Sequence, residues 1–327
     1  MHTKLTRKKY WITLACVWGL ALAFAFAWLA YDNPMHFGTR KFWLIAQRRA
    51  DALIAMAIVA VCQAMATVAF HTVTNNRILT PSIMGFESLY VAINTATIFF
   101  LGAAGLNDAR TLPTFLFQMA LMVGLSLVLY SWLLINNKHN MHAMLLVGVV
   151  IGGGLGSLST FMQRILTPSE FDVLTARLFG SINNAESDYY PIVIPTVAIV
   201  AALLLLNART LNAISLGNDV STNLGVNHKG HAIYTLILVS LLMATTTALV
   251  GPMTFLGFLV ATLAYQFTDT YDRRFIFPMA IGLAFLLLTA AYFLMRHVFA
   301  AQGVVSIIIE LVGGCAFLFI ILRKGRL

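Results

Sequence analysis

The chain has 327 residues, of which 60% are hydrophobic and only 10% are charged, and its mean hydropathy is +0.84. About a quarter of the residues in a soluble domain are charged, so this composition excludes a soluble globular protein and predicts a polytopic membrane protein. The net charge of +9 does not indicate a nucleic-acid partner, because Lys and Arg collect in the loops of membrane proteins and set their orientation.

A basic N-terminal stretch, MHTKLTRKKY, precedes an apolar run from Trp11 to Tyr31. The apolar core of a secretory signal has only about 7–15 residues. The run in this chain is long enough to cross a bilayer, so it predicts an uncleaved first transmembrane helix.

The hydrophobic pattern predicts an all-α fold in a single transmembrane domain that occupies residues 1–327. The candidate spans number ten and are residues 11–31, 50–72, 83–103, 113–135, 141–163, 190–207, 231–250, 252–267, 275–297 and 304–322. A polar, amphipathic stretch at 164–189 follows the fifth span, and it predicts a short surface or re-entrant helix around Phe171–Phe179.

An even number of spans places both termini on one side of the membrane. Of the 21 Lys and Arg residues, thirteen then fall on the side of the termini and eight on the other side. The positive-inside rule therefore predicts cytoplasmic termini in a multi-pass membrane protein.

Two similar motifs, TPSIMGFESLYVA and GPMTFLGFLVATLA, open the third and the eighth span. Each has a proline, Pro81 or Pro252, followed by a Gly-Phe pair that begins at Gly85 or Gly257. Five helices separate the motifs, so helices 2–5 and 7–10 are candidates for an inverted repeat. Interrupted helices in such repeats indicate a transport pathway. The alternative is a pair of ordinary helix N-termini, where proline is also favoured.

Two carboxylates, Glu87 and Glu310, lie within predicted spans, and Asp51 lies near the edge of one. A charge near the bilayer centre costs at least about 2.5–3.5 kcal/mol, so these side chains should face protein or water. Glu87 falls in the first turn of the third span, where a carboxylate complements the helix dipole. Glu310 is predicted to line the pathway or to connect helices. Proton coupling by either residue would indicate a secondary transporter instead.

The chain contains no GxxxxGK[ST] phosphate loop, so the energy for transport must come from a separate subunit or from an ion gradient. The segment 209–230 lies on the predicted inner side and is too polar to cross the membrane. Leu216, Val220 and Leu224 share one helical face, and Ser221 belongs to the polar face.

We therefore predict a short helix over residues 216–226 that lies parallel to the membrane, with Gly217 and Gly225 near its ends. Its apolar face would help to hold the segment against the rest of the chain, and its exposed end would dock on another protein. The alternative is an interfacial helix lying on membrane lipid, which usually has Lys or Arg on its polar face.

Four stretches carry a resemblance to the FecCD family, the permeases of bacterial ABC importers for ferric siderophores, haem and vitamin B12. They are NNRILTPSIMGFESLY, SLGNDVSTNLGV at Ser215–Val226, GPMTFLGFLVATLA and ELVGGCAFLFIILRKGR. The NNRILTPS stretch resembles the branch that serves catecholate-type siderophores, which often uses two different permeases. The resemblance implies the type II ABC importer permease fold and import of a ferric siderophore.

The resemblance also implies the partners of the chain. They would be a second permease, with a heterodimer favoured, two cytoplasmic ATPases and an extracytoplasmic siderophore-binding protein. The chain itself would bind no cofactor, and ATP-Mg would be held by the partner ATPases. The segment with Leu216, Gly217, Val220, Ser221, Leu224 and Gly225 would couple the chain to those ATPases.

The family resemblance further implies that outer basic residues receive carboxylates of the binding protein, and Arg48, Arg49 and Arg296 are the candidates. Snorkelling at the membrane interface is the alternative. The sequence departs from the family pattern at four places. An Asn-Pro pair is Asn76-Arg77 here, a Gln is His71, and the Val-Pro-His-x-x-Arg run is the stretch 260–266. The second Arg of an Arg-x-Pro-Arg pattern is Ala52.

No pattern of an enzyme or a metal site is present. The His139/His142 and His228/His231 pairs have no Cys or carboxylate partners at ligand spacing, so no metal is predicted. The sequence therefore predicts a transport protein and not an enzyme. The alternative to the importer is an ion-coupled secondary transporter of a small organic solute.

Overall fold

The computed structural model describes residues 4–31, 39–82, 85–108, 111–136, 141–297 and 305–324. Within these ranges every regular element is a helix. The α-helices are α1 (Lys4–Ala30), α2 (Arg40–Thr74), α3 (Phe86–Asp108), α4 (Leu112–Asn136), α5 (Met141–Gln163), α6 (Pro168–Leu178), α7 (Tyr190–Leu206), α8 (Ala208–Ile214), α9 (Asn218–Asn223), α10 (His228–Val250), α11 (Leu256–Thr268), α12 (Arg273–His297) and α13 (Val305–Lys324). Two short 3₁₀ turns connect α6 to α7.

The described parts of six helices, α1, α2, α5, α7, α10 and α12, are long and apolar enough to cross a membrane. Four more helices, α3, α4, α11 and α13, are apolar over shorter described lengths. Each predicted span falls on one of these helices, so the all-α fold is confirmed. That all ten cross the membrane stays a prediction.

The second helix is longer than predicted. It begins at Arg40, not near residue 50, and has 35 residues. Thr39 caps its N-terminus, because the side-chain oxygen accepts a hydrogen bond from the backbone N–H of Phe42 at 3.2 Å. No Pro or Gly occurs between Arg40 and the predicted start near residue 50, so the basic cluster at 40–49 lies on a helix and not in a loop.

The predicted short helix after the fifth span is α6, which begins at Pro168 and so starts three residues before the predicted one. Thr167 and Glu170 form its N-cap: the backbone N–H of Thr167 donates to Glu170 Oε2 at 3.0 Å. The hydrogen bonds from Thr167 lower the pKa of the Glu170 carboxyl. The sequence TPSE is a known N-terminus pattern and fixes where this helix begins.

Helices α2 and α10 form the centre of the chain. In their most apolar windows, 78% and 72% of the residues are buried, against 22% in α1. Both helices pack against each other and against α7, and α2 also contacts α11 and α12. Met65 and Phe70 of α2 are fully buried in this core.

Helix contacts occur in matched pairs. Helices 2–5 of the predicted repeat are α2–α5, and helices 7–10 are α10–α13. The contact of α2 with α12 corresponds to that of α10 with α4, and the contact of α3 with α5 corresponds to that of α11 with α13. The cross-contacts α2–α11 and α3–α10 are also both present. An inverted repeat of helices 2–5 and 7–10 requires this pairing, although the repeat itself stays a prediction.

One end of the bundle, called here the α9 end, contains the start of α1, the end of α2, α8, α9 and the start of α12. Tyr10 of α1 donates its hydroxyl hydrogen to the carbonyl of Phe275 in α12 at 3.0 Å. Asn212 of α8 donates from Nδ2 to Asp272 Oδ1 at 2.9 Å, just before α12. The α8–α9 segment is therefore bonded directly to the start of a long helix.

The opposite end, called the Arg49 end, contains the end of α1, the start of α2 and the end of α12. Arg49 Nη1 donates to the carbonyl oxygens of Trp28, Leu29 and Tyr31 at 3.2, 3.2 and 2.8 Å. These carbonyls belong to the last turn of α1 and to the residue after it. The last carbonyl groups of a helix have no intrahelical N–H partner, so a side chain can supply their hydrogen bonds. Arg49 thus fixes the end of α1 to α2.

The prediction that Arg49 receives carboxylates of a binding protein is wrong, because its side chain is only 3% exposed and caps α1. Arg48 and Arg296 are both exposed at the same end. The Arg296 guanidinium lies 5.3 Å from the ring centroid of Trp28. These two arginines stay candidates for the predicted docking role.

We expect Arg49→Met to destabilise the protein by about 3 kcal/mol, since hydrogen bonds to a charged donor contribute roughly 1.5–3 kcal/mol each. Arg48→Met, which removes the same charge from an exposed neighbour, should change the stability by less than about 0.5 kcal/mol. Thermal unfolding of both purified variants in detergent tests this difference. Equal stability would contradict the capping role of Arg49.

Candidate functional site at the two helix breaks

The first break lies between α2 and α3. Asn75 ends α2 in the left-handed conformation, and α3 begins at Phe86. Gly85, just before α3, has a φ of 100°, which L-residues with side chains rarely adopt. A Cβ atom on Gly152 of α5 would lie 3.1 Å from the Gly85 Cα, so two glycines form this contact. Pro81 is buried within the break.

The second break lies between α10, which ends at Val250, and α11, and it contains Gly251 and Pro252. The loop after α6 covers it, because the backbone N–H of Ser181 donates to the Val250 carbonyl at 2.8 Å. A side chain on Gly180 would overlap the Pro252 carbonyl oxygen. Only glycine therefore fits at this contact.

The glycines of the two motifs do not occupy equivalent positions. Gly85 precedes its helix, whereas Gly257 is the second residue of α11 and packs on α2. A Cβ atom on Gly257 would overlap Thr67 Oγ1 and would lie 3.2 Å from Gln63 Oε1. Both glycines nevertheless lie where the backbone closely approaches another helix.

The two breaks contact each other through one carboxylate. Thr254 of the second break donates its hydroxyl hydrogen to Glu87 Oε2 at 2.6 Å. Ser82 of the first break also hydrogen-bonds the Glu87 side chain, and the Glu310 carboxylate of α13 lies within electrostatic range. The structure thus brings together Glu87, Glu310 and both breaks, as expected for residues that share one region.

The α8–α9 segment lies at the α9 end. The helix α9 is shorter than predicted, covering Asn218–Asn223, and glycines with positive φ flank it: Gly217 at 94° and Gly225 at 79°. Ser221 is fully buried, and its Oγ lies 2.9 Å from His228 Nδ1. This contact directs the Ser221 side chain of α9 towards α10.

The apolar face of this segment points away from the chain. The exposed fractions of Leu216, Val220 and Leu224 are 57%, 47% and 61%. The prediction that this face holds the segment against the chain is therefore wrong, because the hydrogen bonds of Ser221 take that place. Of the predicted polar side Ser221 faces inward while Asp219, Thr222 and Asn223 are exposed, and the predicted apolar side is available to a partner.

The FecCD transport family matches residues 11–323 of the chain. The chain belongs to this family. It is 53% identical, over 100% of its own length and 92% of the relative, to the petrobactin import system permease protein FatC of Bacillus anthracis. It is 23% identical to the petrobactin import system permease protein FatD of the same organism, over 99% of this chain and 94% of FatD.

A solved structure described as a metal-chelate type ABC transporter in an inward-facing conformation shares the fold of this FecCD chain. The TM-score is 0.79 at 19% identity, with 96% of this chain and 99% of the other covered. The chain therefore has the fold of an ABC importer permease and is a multi-pass membrane protein.

Three of the departures from the FecCD pattern come together in space. Tyr265, which stands where the pattern has its Arg, places its hydroxyl 3.3 Å from His71 Nδ1. The Arg77 guanidinium lies 4.7 Å from the centroid of the Tyr265 ring. The changes at positions 71, 77 and 265 therefore form one cluster at the α9 end.

Asp272 connects this end to α8. Partial burial alone would raise the pKa of Asp272, but hydrogen bonds from the side chains of Arg274 and Asn212 outweigh burial and lower it to about 2. Its carboxylate lies 2.7 Å from Arg274 Nη2. Asp272 therefore stays ionised, and its bond to Asn212 is charge-assisted, throughout the neutral pH range.

The sequence reasoning missed Thr254, Gly180 and Asn212. Thr254 lies inside the GPMTFLGF motif, so a polar residue within an apolar helix break was the available signal. Gly180 had no such signal, because its need for glycine comes from the distant Pro252. In the described ranges, no three His, Cys, Asp or Glu residues lie close enough to hold a metal ion; His139 lies outside those ranges.

We expect Gly257→Ala to lower the stability by about 1–3 kcal/mol, because the new methyl group overlaps Thr67 Oγ1. Adding Thr67→Ala should restore part of the loss by removing that hydroxyl. Gly124→Ala is the control, since no described heavy atom lies within 4 Å of a Cβ there. Thermal unfolding measures all three, and an equal effect of Gly257→Ala and Gly124→Ala would contradict the close contact.

Proposed function

We propose that this chain is the permease subunit of an ATP-driven importer that moves a ferric siderophore across the bacterial cytoplasmic membrane. The observation that carries the proposal is the 53% identity with the FatC permease over the whole chain. At this identity the substrate class of a transporter is usually kept, so ferric petrobactin or a similar ferric chelate is the proposed substrate.

The exposed apolar face of Leu216, Val220 and Leu224 supports docking of an ATPase at the α9 end. Burying such side chains contributes about 1.5–3 kcal/mol each relative to exposure. Lipid is the less suitable partner, because the other exposed residues of α9 are Asp219, Thr222 and Asn223 and the helix contains no Lys or Arg. The α9 end would then be cytoplasmic, together with both termini, and ATP-Mg would be bound by the ATPase and not by this chain.

The break region is the proposed part of the pathway that changes between outward and inward access. Pro81, Gly85, Glu87, Pro252, Gly257 and Glu310 are the proposed residues. Non-helical backbone at membrane depth needs protein or water around it, and the contact of Glu87 with Thr254 supplies a polar partner from the other break. Separating the breaks would expose these polar groups to a passing chelate.

The proposed partners at the membrane are a second permease and an external binding protein. FatC and FatD are different permeases with the same import-system name, and the chain is much more similar to FatC. A FatD-like chain is therefore the proposed partner in a heterodimer. Exposed Arg48 and Arg296 at the Arg49 end would receive carboxylates of the binding protein.

Uptake of ⁵⁵Fe-petrobactin by proteoliposomes tests the proposed function. The liposomes would contain this chain, its FatD-like partner and the ATPases, with the binding protein outside. We expect accumulation with ATP inside, none with an ATPase variant that cannot hydrolyse ATP, and no effect of a proton ionophore. Uptake that follows an imposed proton gradient without ATPases would favour the ion-coupled alternative. A ferric hydroxamate siderophore serves as the substrate control.

We expect Val220→Asp to weaken binding of the ATPase at least about tenfold, because a carboxylate would replace an apolar contact at a loss of 1.4 kcal/mol or more. Thr222→Asp adds the same charge to the same short helix outside the apolar face and is the matched control. Co-purification of the ATPase with each permease variant gives the measurement. Equal loss in both variants would mean that charge, not the apolar face, decides binding.

A further inference from the structure

A continuous set of contacts leads from the α8–α9 segment to the first helix break. It begins at Asn212 of α8, whose Nδ2 donates to Asp272 Oδ1 at 2.9 Å. The Oδ1 atom of the same amide accepts the backbone N–H of Arg273 at 3.0 Å. Both polar atoms of one side chain thus bind the first residues of α12, so α8 cannot shift without straining this joint.

The next contact is the buried side chain of Arg273, which is only 6% exposed. Its Nε donates to Thr72 Oγ1 at 3.0 Å, near the end of α2. Its Nη1 donates to the carbonyl oxygen of Tyr271 at 2.5 Å. Arg273 therefore joins the start of α12 to the end of α2 and fixes the backbone that carries the Tyr271 ring.

The third contact is a pair of cation–π interactions. Arg77 lies in the non-helical stretch between α2 and α3, and its guanidinium is 4.7 Å from the Tyr265 ring centroid and 5.6 Å from that of Tyr271. Cation–π attraction of this kind is favourable even at exposed sites. Arg77 thus bonds the first break to the end of α11, the helix that follows the second break.

The charges around these residues leave the rings as the main attachment of Arg77. In the part of the chain that the structure describes, the ion pair found here joins Asp272 to Arg274 at 2.7 Å and involves neither Arg77 nor Arg273. Tyr265 is itself positioned by His71, whose Nδ1 lies 3.3 Å from its hydroxyl. The ring of Tyr265, more than its hydroxyl, is therefore the feature that holds Arg77.

We propose that Asn212, Arg273 and Arg77 are positioning residues that transmit movement of the α8–α9 segment to the helix break before α3. The proposal rests on the proposed function, in which an ATPase moves α9. A displacement of α8 shifts the start of α12 through Asn212. Arg273 passes the shift to Tyr271. Arg77 then moves with the Tyr265 and Tyr271 rings and displaces the break that precedes Gly85 and Glu87.

The first experiment measures the amount of chelate transported per ATP hydrolysed in the proteoliposomes described above. We expect Arg77→Leu, Tyr265→Leu and Asn212→Leu each to lower this ratio at least about fivefold, the usual lower range of coupling between sites. The basal ATPase rate and the KM for the chelate should not change. Tyr265→Phe keeps the ring and should behave like the wild type, and Lys8→Leu removes an exposed charge at the same end as a control.

The double variant Arg77→Leu/Tyr265→Leu separates one shared contact from two independent ones. Its ratio should be no lower than that of either single variant, because partners in one contact are not additive. A ratio that falls by the product of the single effects would overturn the proposal. So would a wild-type ratio in Arg77→Leu, or an equal loss in Tyr265→Phe and Tyr265→Leu.

The second experiment needs no transport and so separates this proposal from the proposed function. Hydrogen–deuterium exchange of residues 75–82 is compared between the wild-type permease and the Asn212→Leu variant, both folded and monodisperse in detergent. We expect faster exchange in the variant, although the side-chain hydrogen bonds of Asn212 go to Asp272 and Arg273 and not to these residues. Unchanged exchange would overturn the relay. Faster exchange in the variant would support the relay even if the wild-type permease took up the chelate without ATP. That second result would reject only the ATP-driven function.

Discussion

Unpaired backbone groups cannot be left in hydrocarbon, and this constraint decides how the two helix breaks are built. A break at membrane depth is tolerated only where protein or water surrounds it. The second break is covered by the loop after α6, with Gly180 against Pro252 and Ser181 bonded to Val250. The first break lies against α5 through Gly85 and is joined to the second by Glu87. Glycine is used wherever two backbones must meet, since any side chain would push the cover away.

The same constraint makes the breaks the mechanically sensitive part of the chain. A helix resists deformation through its own hydrogen bonds, whereas the breaks, at residues 75–82 with Gly85 and at residues 251–255, depend on partners from other helices. The hydrogen bond between Glu87 and Thr254 therefore couples the two breaks, because moving one break leaves a polar group of the other without its partner. A transport protein needs such an element, because alternating access requires parts with two arrangements and rigid helices around them.

The sequence predicted what depends on local pattern and missed what depends on distant partners. The span at 141–163 coincides with α5, because a continuous run of 23 mostly apolar residues without a charge predicts a helix with no tertiary information. Arg49 looked like an exposed outer charge, but its burial follows from the carbonyls of Trp28 and Tyr31 on another helix. The periodicity of Leu216, Val220 and Leu224 identified an apolar face, yet its direction is set by Ser221 and His228. Periodicity defines a face and leaves open which way it turns.

Arg49 and Arg77 lie at opposite ends of the bundle and are held by different kinds of contact, hydrogen bonds for Arg49 and aromatic rings for Arg77. At the Arg49 end, the Arg49 guanidinium caps α1 through hydrogen bonds. Its removal therefore lowers stability, and its hydrogen bonds fix one arrangement of the two helices. At the α9 end, Arg77 is held by two aromatic rings, which accept a range of orientations and cost little to leave. Directional hydrogen bonds suit a fixed frame, whereas non-directional contacts suit a joint that must slide. With its exposed apolar face and its ring-bound Arg77, the α9 end is therefore the end that we propose to respond to a moving partner.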